Sequence, residues 1–330
     1  MTFHIDPLGT NADVVSDEQR PTPGPIAVLP ESKQLFVDAI EAGGGTVGPL
    51  SDDTRGVVWL TASLPDELQG ILEAHPKIQW VQLPWAGVDA FSSLLASYAD
   101  SPRPLWTSAK GAYSEPVAEH ALALTLALLR GLPQKAHATS WATTEVGLSL
   151  FGRNVVIVGA GGIAVEIMRL LAPFRVNVTI VRRSDTPLPG ANRTVASADL
   201  LEVLPEADVV ILAAASTGDT AKMFGAREFA AMKSTSVLVN IARGALVDTD
   251  ALVAALAAGE IDGAGLDVTA PEPLPDGHPL WSEPRCIITS HSADTKAMVN
   301  PLLAGRITAN VRALLDSGRF VGVVDVAAGY

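Results

Sequence analysis

The chain is nearly without cysteine: its 330 residues contain one, Cys286. A single thiol allows no internal disulfide and no cysteine-based zinc cluster, so a soluble protein of a reducing compartment, the cytoplasm, is expected and no metal is expected in it. Positive charge is also scarce. Lys and Arg total 23 against 36 Asp and Glu, a net charge of −13. A nonspecific nucleic-acid binder needs a cationic face, so that class is excluded, although a local site can still hold a small phosphorylated cofactor. Long apolar runs are missing as well. Ala121–Leu129, interrupted by Thr125, and Val209–Ala215 fall far short of the roughly 18 residues of a membrane helix, and no membrane partner is expected. The first 24 residues carry Asp6, Asp13, Asp17 and Glu18 without an apolar segment, which is not the pattern of a secretory signal.

What remains is globular: 48% hydrophobic and 18% charged, with a length that suggests about two domains. After a polar, proline-rich arm, short β-type runs alternate with helical patterns. Strands are expected at Ile26–Leu29, Val57–Leu60 and Ile78–Gln82, with helices at Glu31–Ala42, Asp66–Ala74 and Val88–Tyr98. Pro102 and Pro104 mark a break. A long apolar helix is expected over Glu115–Arg130, with Ser114 as its N-cap and Pro116 in its first turn. A further helix is expected over Gln134–Thr143. The alternation then restarts with strands at Asn154–Val158, Val176–Val181, Asp208–Ala213, Val237–Ile241, Gly263–Asp267 and Cys286–Thr289, and closes with a helix over Thr295–Leu315. Continuous apolar strands between helices indicate parallel sheets covered on both faces, an α/β protein in two units.

Asn154–Val158 runs into Gly159-Ala160-Gly161-Gly162-Ile163-Ala164, a G-x-G-x-x-A turn between a buried strand and a helix. Gly159 permits the tight turn, Gly161 lets backbone approach a pyrophosphate at the helix N-terminus, and Ala164 needs only to be small for helix–strand packing. An ordinary tight turn is the bland alternative; the strand–turn–helix context favours a dinucleotide. An acid about 20 residues on would bind the ribose hydroxyls of NAD. Arg182 stands there instead, 21 residues after Gly161 and followed by Arg183 and Ser184. A guanidinium cannot accept from a hydroxyl but can pair with a 2′-phosphate, so NADP is favoured over NAD. Asp185 leaves NAD open, and a solvated basic pair is the plain reading of the two arginines.

Three further segments place polar groups just beyond strand ends, where open α/β sheets gather their ligands: Arg243 beside Gly244, Glu272 between Pro271 and Pro273, and His291 in Ser290-His291-Ser292-Ala293. Reduction of a 2-oxo acid suits them. Arg243 binds the carboxylate and polarises the carbonyl, His291 donates a proton as hydride arrives, and Glu272 holds the other ring nitrogen and so fixes the tautomer. Singly each has a bland reading, as surface ion pair, loop charge or helix cap.

These segments resemble, in order, the D-isomer-specific 2-hydroxyacid dehydrogenase family. The separations of 29 residues from Arg243 to Glu272 and 19 from Glu272 to His291 also fit. Val81–Asp89 resembles the family's substrate loop, which implies that the backbone amides of Ala86 and Gly87 receive the substrate carboxylate; Trp85, an aromatic in that loop, either walls the cleft or simply packs. Val117-Ala118-Glu119-His120 resembles the segment that opens the cofactor domain; His120 lacks ligand spacing and reads as structural. The resemblance implies a flavodoxin-like substrate domain from residues 1–112 and 293–330, a Rossmann domain from 113–292 inserted into it, and substrate in the cleft between them. It implies cofactor contacts from Gly159, Gly161, Gly162, Ile163, Arg182, Arg183, Ser184, Ala214, Ala215, Thr220, Ile241, Ala242, Ser292 and Ala293, with Asp267 near the nicotinamide carboxamide. A homodimer through the cofactor domain, partly by the helices over Glu115–Thr143, is implied as well.

Departures are the loop Ala215–Thr220 in place of Pro-Leu-Thr-x-x-Thr, Ser290 in place of a proline, and Arg182 in place of an acid, the last as in the NADPH-dependent glyoxylate and hydroxypyruvate reductases of the family. The implied function is hydride transfer between NAD(P)H and a small 2-oxo acid, giving the D-2-hydroxy acid. Alternatives are an NAD-dependent dehydrogenase of another 2-hydroxy acid such as phosphoglycerate, a cofactor-sensing scaffold of the corepressor type, and a binder of another adenosine ligand. The last would leave Arg243, Glu272 and His291 unexplained.

Overall fold

Val209-Val210-Ile211-Leu212 is fully buried along its whole length. β-Branched residues that lose both faces to packing contribute roughly 1.5–3 kcal/mol each, which is why such runs become central parallel strands rather than edges. In the computed structural model, which describes residues 12–16, 18–141 and 146–326, two units are built on strands of this kind. One runs up to Ser114 and resumes at Thr295; the other is Glu115–Asp294.

The first unit contains β1 (Asp13–Val14), β2 (Ile26–Leu29), β3 (Gly56–Trp59), β4 (Trp80–Gln82) and β5 (Leu105–Thr107). β2 to β5 form a parallel sheet in the order β2-β3-β4-β5. Val47 adds a single parallel bridge to Ile26 on the outer side of β2. Counting Val47 as a vestigial second strand, the order is 2-1-3-4-5, the flavodoxin-like winding. Its core gathers Val57, Trp59, Val81, Phe91 and Trp106.

The second unit holds β6 (Asn154–Val158), β7 (Asn177–Arg182), β8 (Arg193–Ala196), β9 (Val209–Leu212), β10 (Val237–Asn240), β11 (Gly263–Leu266) and β12 (Cys286–Ile288). All are parallel, in the order β12-β11-β10-β9-β6-β7-β8. Counted from β6 this is 3-2-1-4-5-6 with a seventh strand added, the doubly wound Rossmann order. Its direction reverses between β6 and β9. The α/β expectation with two parallel sheets is thus met. Back in the first unit, β13 (Arg319–Phe320) pairs antiparallel with β1, so an early and a late segment of the described chain share one small sheet.

Several local expectations are corrected. Ser114 is not an N-cap: the helix Ser114–Leu129 starts at it, and its hydroxyl donates to the Gly111 carbonyl at 2.8 Å. The helix placed over Gln134–Thr143 is Leu132–Ala136, begun by Pro133; Thr139 and Ser140, whose hydroxyls compete for backbone groups, follow its end, and residues 142–143 lie outside the described ones, as do residues 1–11 and 17 of the N-terminal arm. Val88–Tyr98 resolves into two short turns, Asp89–Phe91 and Ser92–Ala96. The closing helix is Lys296–Arg312, followed by a wider π-type turn that ends at Gly318. β5 and β8 were not expected.

Candidate active site

The reversal of strand order opens a crevice beyond the carboxyl ends of β6 and β9, and the glycine turn lies at that point. Gly159 has φ +121, and a Cβ there would overlap the Ala213 carbonyl at the end of β9. Only glycine lets the two strand ends approach so closely. Gly161 faces open space, with nothing within 4 Å of a Cβ position. It caps the ten-residue helix Gly162–Leu171, whose first amides receive no side-chain cap. Unfilled amides at a positive helix end, reached over a bare glycine, fit a pyrophosphate. Ile163 lies in the same helix.

Arg182 ends β7 and is half-buried; Arg183, Ser184 and Asp185 follow it, exposed. The Ser184 hydroxyl donates to Thr186 at 3.1 Å. Beyond β9, Thr220 closes its own loop: its Oγ1 donates to the Ala215 carbonyl at 2.8 Å and accepts from the Thr217 amide at 2.8 Å. The loop therefore keeps a fixed shape without the proline the family pattern has there. Ala214 is half-buried at its start.

After β10 come the buried Ile241 and Ala242, then Arg243. The fully buried Asn240 shapes this turn. Its side chain accepts from the Ala242 amide at 3.1 Å and donates to the Arg243 carbonyl at 2.9 Å. In the sequence only its position, a lone amide at the end of an apolar strand, hints at this role. Arg243 Nη1 donates to the Ala242 carbonyl at 2.7 Å.

His291 and Glu272 come together: Nδ1 lies 2.7 Å from Glu272 Oε1, both side chains partly open to solvent. Nδ1 is thus engaged by Glu272, and Nε2 is the other nitrogen of the ring. Asp267 organises the turn that carries His291. Its carbonyl accepts the His291 amide at 2.6 Å, and its buried carboxylate accepts the Ser292 amide at 2.8 Å and the Ala293 amide at 3.2 Å. Ser290 and His291 have φ of 50° and 54°, a left-handed pair that curls the chain around that carboxylate.

Asp294 joins these groups. Burial pushes its carboxyl up to about 6; the charges of His291 and Arg243 pull it down and Asp267 pushes it up. An acid whose folded pKa is raised costs stability once it ionises. Below about pH 4 folded and unfolded chains both hold the proton and nothing is lost. Between about 4 and 6 the unfolded chain ionises first and stability falls, and above about 6 the loss is complete. Roughly two pH units at about 1.4 kcal/mol each cap the effect near 3 kcal/mol, less what partial solvent access screens. Asp294→Asn is therefore expected to melt about 2–6 °C higher than the parent at pH 8, with the gain vanishing near pH 4. An equal gain at every pH would show that the carboxyl's charge is not the cause.

In the first unit, the loop after β4 carries Trp85, Ala86 and Gly87, all half-buried. Below it the buried Gln82 accepts from Thr107 and Asn310, each at 2.9 Å. The Tyr113 hydroxyl donates to the Pro84 carbonyl at 2.6 Å, its ring meets Trp85 edge-on, and the Trp85 carbonyl accepts the Ala109 amide at 3.0 Å. Cys286 in β12 is not a candidate nucleophile, because burial pushes its thiol up to about 12. Among the described residues no group of three His, Cys, Asp or Glu could hold a metal, and no helix is long and apolar enough to cross a membrane.

A sheet wound in this order, with an open glycine turn at its switch point, is that of a dinucleotide-binding Rossmann domain. Residues 122–293 match the D-isomer specific 2-hydroxyacid dehydrogenase NAD binding domain, and the chain belongs to that family. It is 39% identical over 259 residues to an uncharacterized protein encoded in the proB 3′ region of Corynebacterium melassecola, covering 77% of this chain and 84% of that one. It is 33% identical over 214 residues to the mouse glyoxylate reductase/hydroxypyruvate reductase, covering 61% of this chain and 65% of that enzyme. Among solved structures it resembles the NADPH-dependent glyoxylate/hydroxypyruvate reductase of Sinorhizobium meliloti, with 26% identity, a TM-score of 0.71, and 92% of this chain and 98% of that one covered.

Proposed function

We propose that the protein reduces a small 2-oxo acid of the glyoxylate or hydroxypyruvate type to the D-2-hydroxy acid, with NADPH preferred. The observation that carries this reading is the 2.7 Å contact between Glu272 and His291 Nδ1, which leaves Nε2, a proton donor when the ring is protonated and a base when it is neutral, beyond the edge of a dinucleotide-binding sheet. The bound reduced nicotinamide supplies the hydride. His291 gives its Nε2 proton to the carbonyl oxygen, and Glu272 keeps the ring oriented while it does so. Arg243 binds the carboxylate and draws electron density from the adjacent carbonyl. The amides of Ala86 and Gly87 receive the same carboxylate, and Trp85, fixed by Tyr113, limits substrate size. Arg182, assisted by Arg183 and Ser184, takes the 2′-phosphate. Gly159, Gly161, Gly162, Ile163, Ala214, Ala215, Thr220, Ile241, Ala242, Asp267, Ser292 and Ala293 line the coenzyme. Leu132, Trp141, Val146 and Phe151, large apolar side chains all at least half exposed, support a homodimer through this unit.

The test is a panel of glyoxylate, hydroxypyruvate, pyruvate, branched 2-oxo acids and phosphohydroxypyruvate, each run with NADPH and with NADH. Nicotinamide absorbance is expected to fall fastest with NADPH and one of the first two. Absence of turnover across the panel would overturn the reading and leave a binding role. Arg182→Asp is expected to raise KM for NADPH by about tenfold to a hundredfold, as loss of a charge-assisted phosphate contact of about 1.5–3 kcal/mol requires, while sparing NADH. Equal losses for both coenzymes would count against a phosphate contact.

A further inference from the structure

We propose that His120 is a positioning residue for this reaction: through Thr289 and Asp267 it holds the turn that aims His291. The proposal rests on the reductase reading for the role of His291, and on geometry alone for the connection. His120 projects from the helix Ser114–Leu129, and its Nε2 lies 2.8 Å from Thr289 Oγ1 and 3.6 Å from Asp267 Oδ1. Thr289 Oγ1 in turn lies 2.6 Å from Asp267 Oδ1.

The donors of this chain can be assigned by counting protons. A threonine hydroxyl has one hydrogen, and a carboxylate has none to give. Thr289 therefore spends its hydrogen on Asp267 and must accept from His120. Nε2 of His120 carries a hydrogen, and the chain runs in one direction: His120 to Thr289 to Asp267. Asp267 is 3% exposed, and a carboxylate so placed depends on every donor around it. Thr289, Ser292 and Ala293 supply them.

Two of those donors belong to the His291 turn itself. That turn keeps consecutive left-handed residues at 290 and 291, a backbone state costing on the order of 1–2 kcal/mol per residue outside glycine. It holds because the carboxylate collects its amides. Once His120 no longer donates, the Thr289 hydroxyl is free to turn away, and the carboxylate loses the donor that fixes its plane. The turn then loosens, and His291 with it.

His120→Leu keeps an apolar body and removes the donor. Its kcat is expected to fall about 10- to 100-fold, the scale of an ångström-level misplacement of a reacting group. His120→Gln sets an amide N–H as many bonds from Cβ as Nε2 and should recover most of the loss. Thr289→Val breaks the same chain at its next link, so the double variant His120→Leu/Thr289→Val should be no worse than the poorer single variant. Simple packing would predict leucine tolerated at least as well as glutamine, and independent roles would predict losses that multiply; either result overturns the proposal. Imidazole NMR provides a readout that needs no turnover. The His291 ring nitrogens should shift in His120→Leu and Thr289→Val and keep their parent positions in His120→Gln. If the parent enzyme reduces no 2-oxo acid, the reductase reading fails while the NMR result still decides the chain. If the parent turns over and neither His291 resonances nor kcat move in His120→Leu, the chain fails and the reductase reading stands.

Discussion

Replacing His291 with alanine is expected to lower kcat by roughly 10²–10⁴, the range for a lost general acid. The size of the effect follows from the proton donation proposed for His291. Carbonyl reduction places negative charge on oxygen as hydride arrives, and a donor at Nε2 meets that charge before it fully develops. In the proposed reaction the substrate carboxylate is bound by groups other than His291, Arg243 among them, and alanine at 291 leaves these in place. KM for the 2-oxo acid should therefore stay within a few-fold of the parent, the pattern of an interaction made chiefly in the transition state. Glu272→Gln should cost less than His291→Ala, because an amide oxygen can still accept from Nδ1 at the 2.7 Å seen here but does not balance the charge of the protonated ring. Turnover retained in His291→Ala would assign the proton to another group. A large rise in KM with kcat intact would instead make His291 a binding residue.

The parts of this architecture that could be read from the chain are those encoded locally. Val209–Leu212 and Asn154–Val158 announce buried strands by composition, and Gly159-Ala160-Gly161 announces its turn by the residues that a close strand approach demands. Arg243, Glu272 and His291 stand out in the chain because each follows a short apolar run that reads as a strand. What escaped was encoded by partners far off in sequence. β5 is three residues long and follows two prolines; its identity as a strand comes from pairing with β4. β8 lies at the sheet edge and carries Arg193 and Thr194, so it shows no apolar run. Val47 contributes one bridge, too little to leave a pattern. His120 and Thr289 are 169 residues apart, and on its helix the histidine is just a polar residue in an apolar run. Asp294 follows His291 by three positions, and nothing in that spacing reveals that burial raises its pKa.

Gly244→Ala is expected to abolish most activity through one methyl group. β10 and β11 run side by side, with Asn240 paired to Leu266, and the segments leaving them stay in contact. A Cβ on Gly244 would overlap the Thr269 carbonyl and sit 2.6 Å from the Ala270 amide nitrogen. Both obstacles are backbone, which cannot rotate aside as a side chain can. The Thr269–Ala270 strip is also tied down: Thr249 donates to the Ala270 carbonyl at 2.5 Å, and Thr269 donates to the Pro271 carbonyl at 2.8 Å. The methyl must therefore wedge the Arg243 turn away from the segment that leads, through Pro271, to Glu272. Forcing extra volume into a packed site costs about 1–3 kcal/mol, which for a unit of this size lowers Tm by up to about 10 °C. Activity should suffer more, because Arg243 and the Glu272–His291 pair lose their common frame, and an ångström of misplacement costs on the order of 10²-fold. Gly161→Ala is the matched control. Its backbone is extended, at φ −81° and ψ −173°, and the Cβ position is empty to 4 Å, so melting should be unchanged while KM for NADPH rises as the methyl enters the path of the pyrophosphate. The two alanines thus separate two uses of glycine. At 244 it lets two protein segments touch, and at 161 it lets protein touch coenzyme. A Gly244→Ala enzyme with parental Tm and kcat would mean that the two loops move independently, and that the Arg243 turn needs no support from the segment beside it.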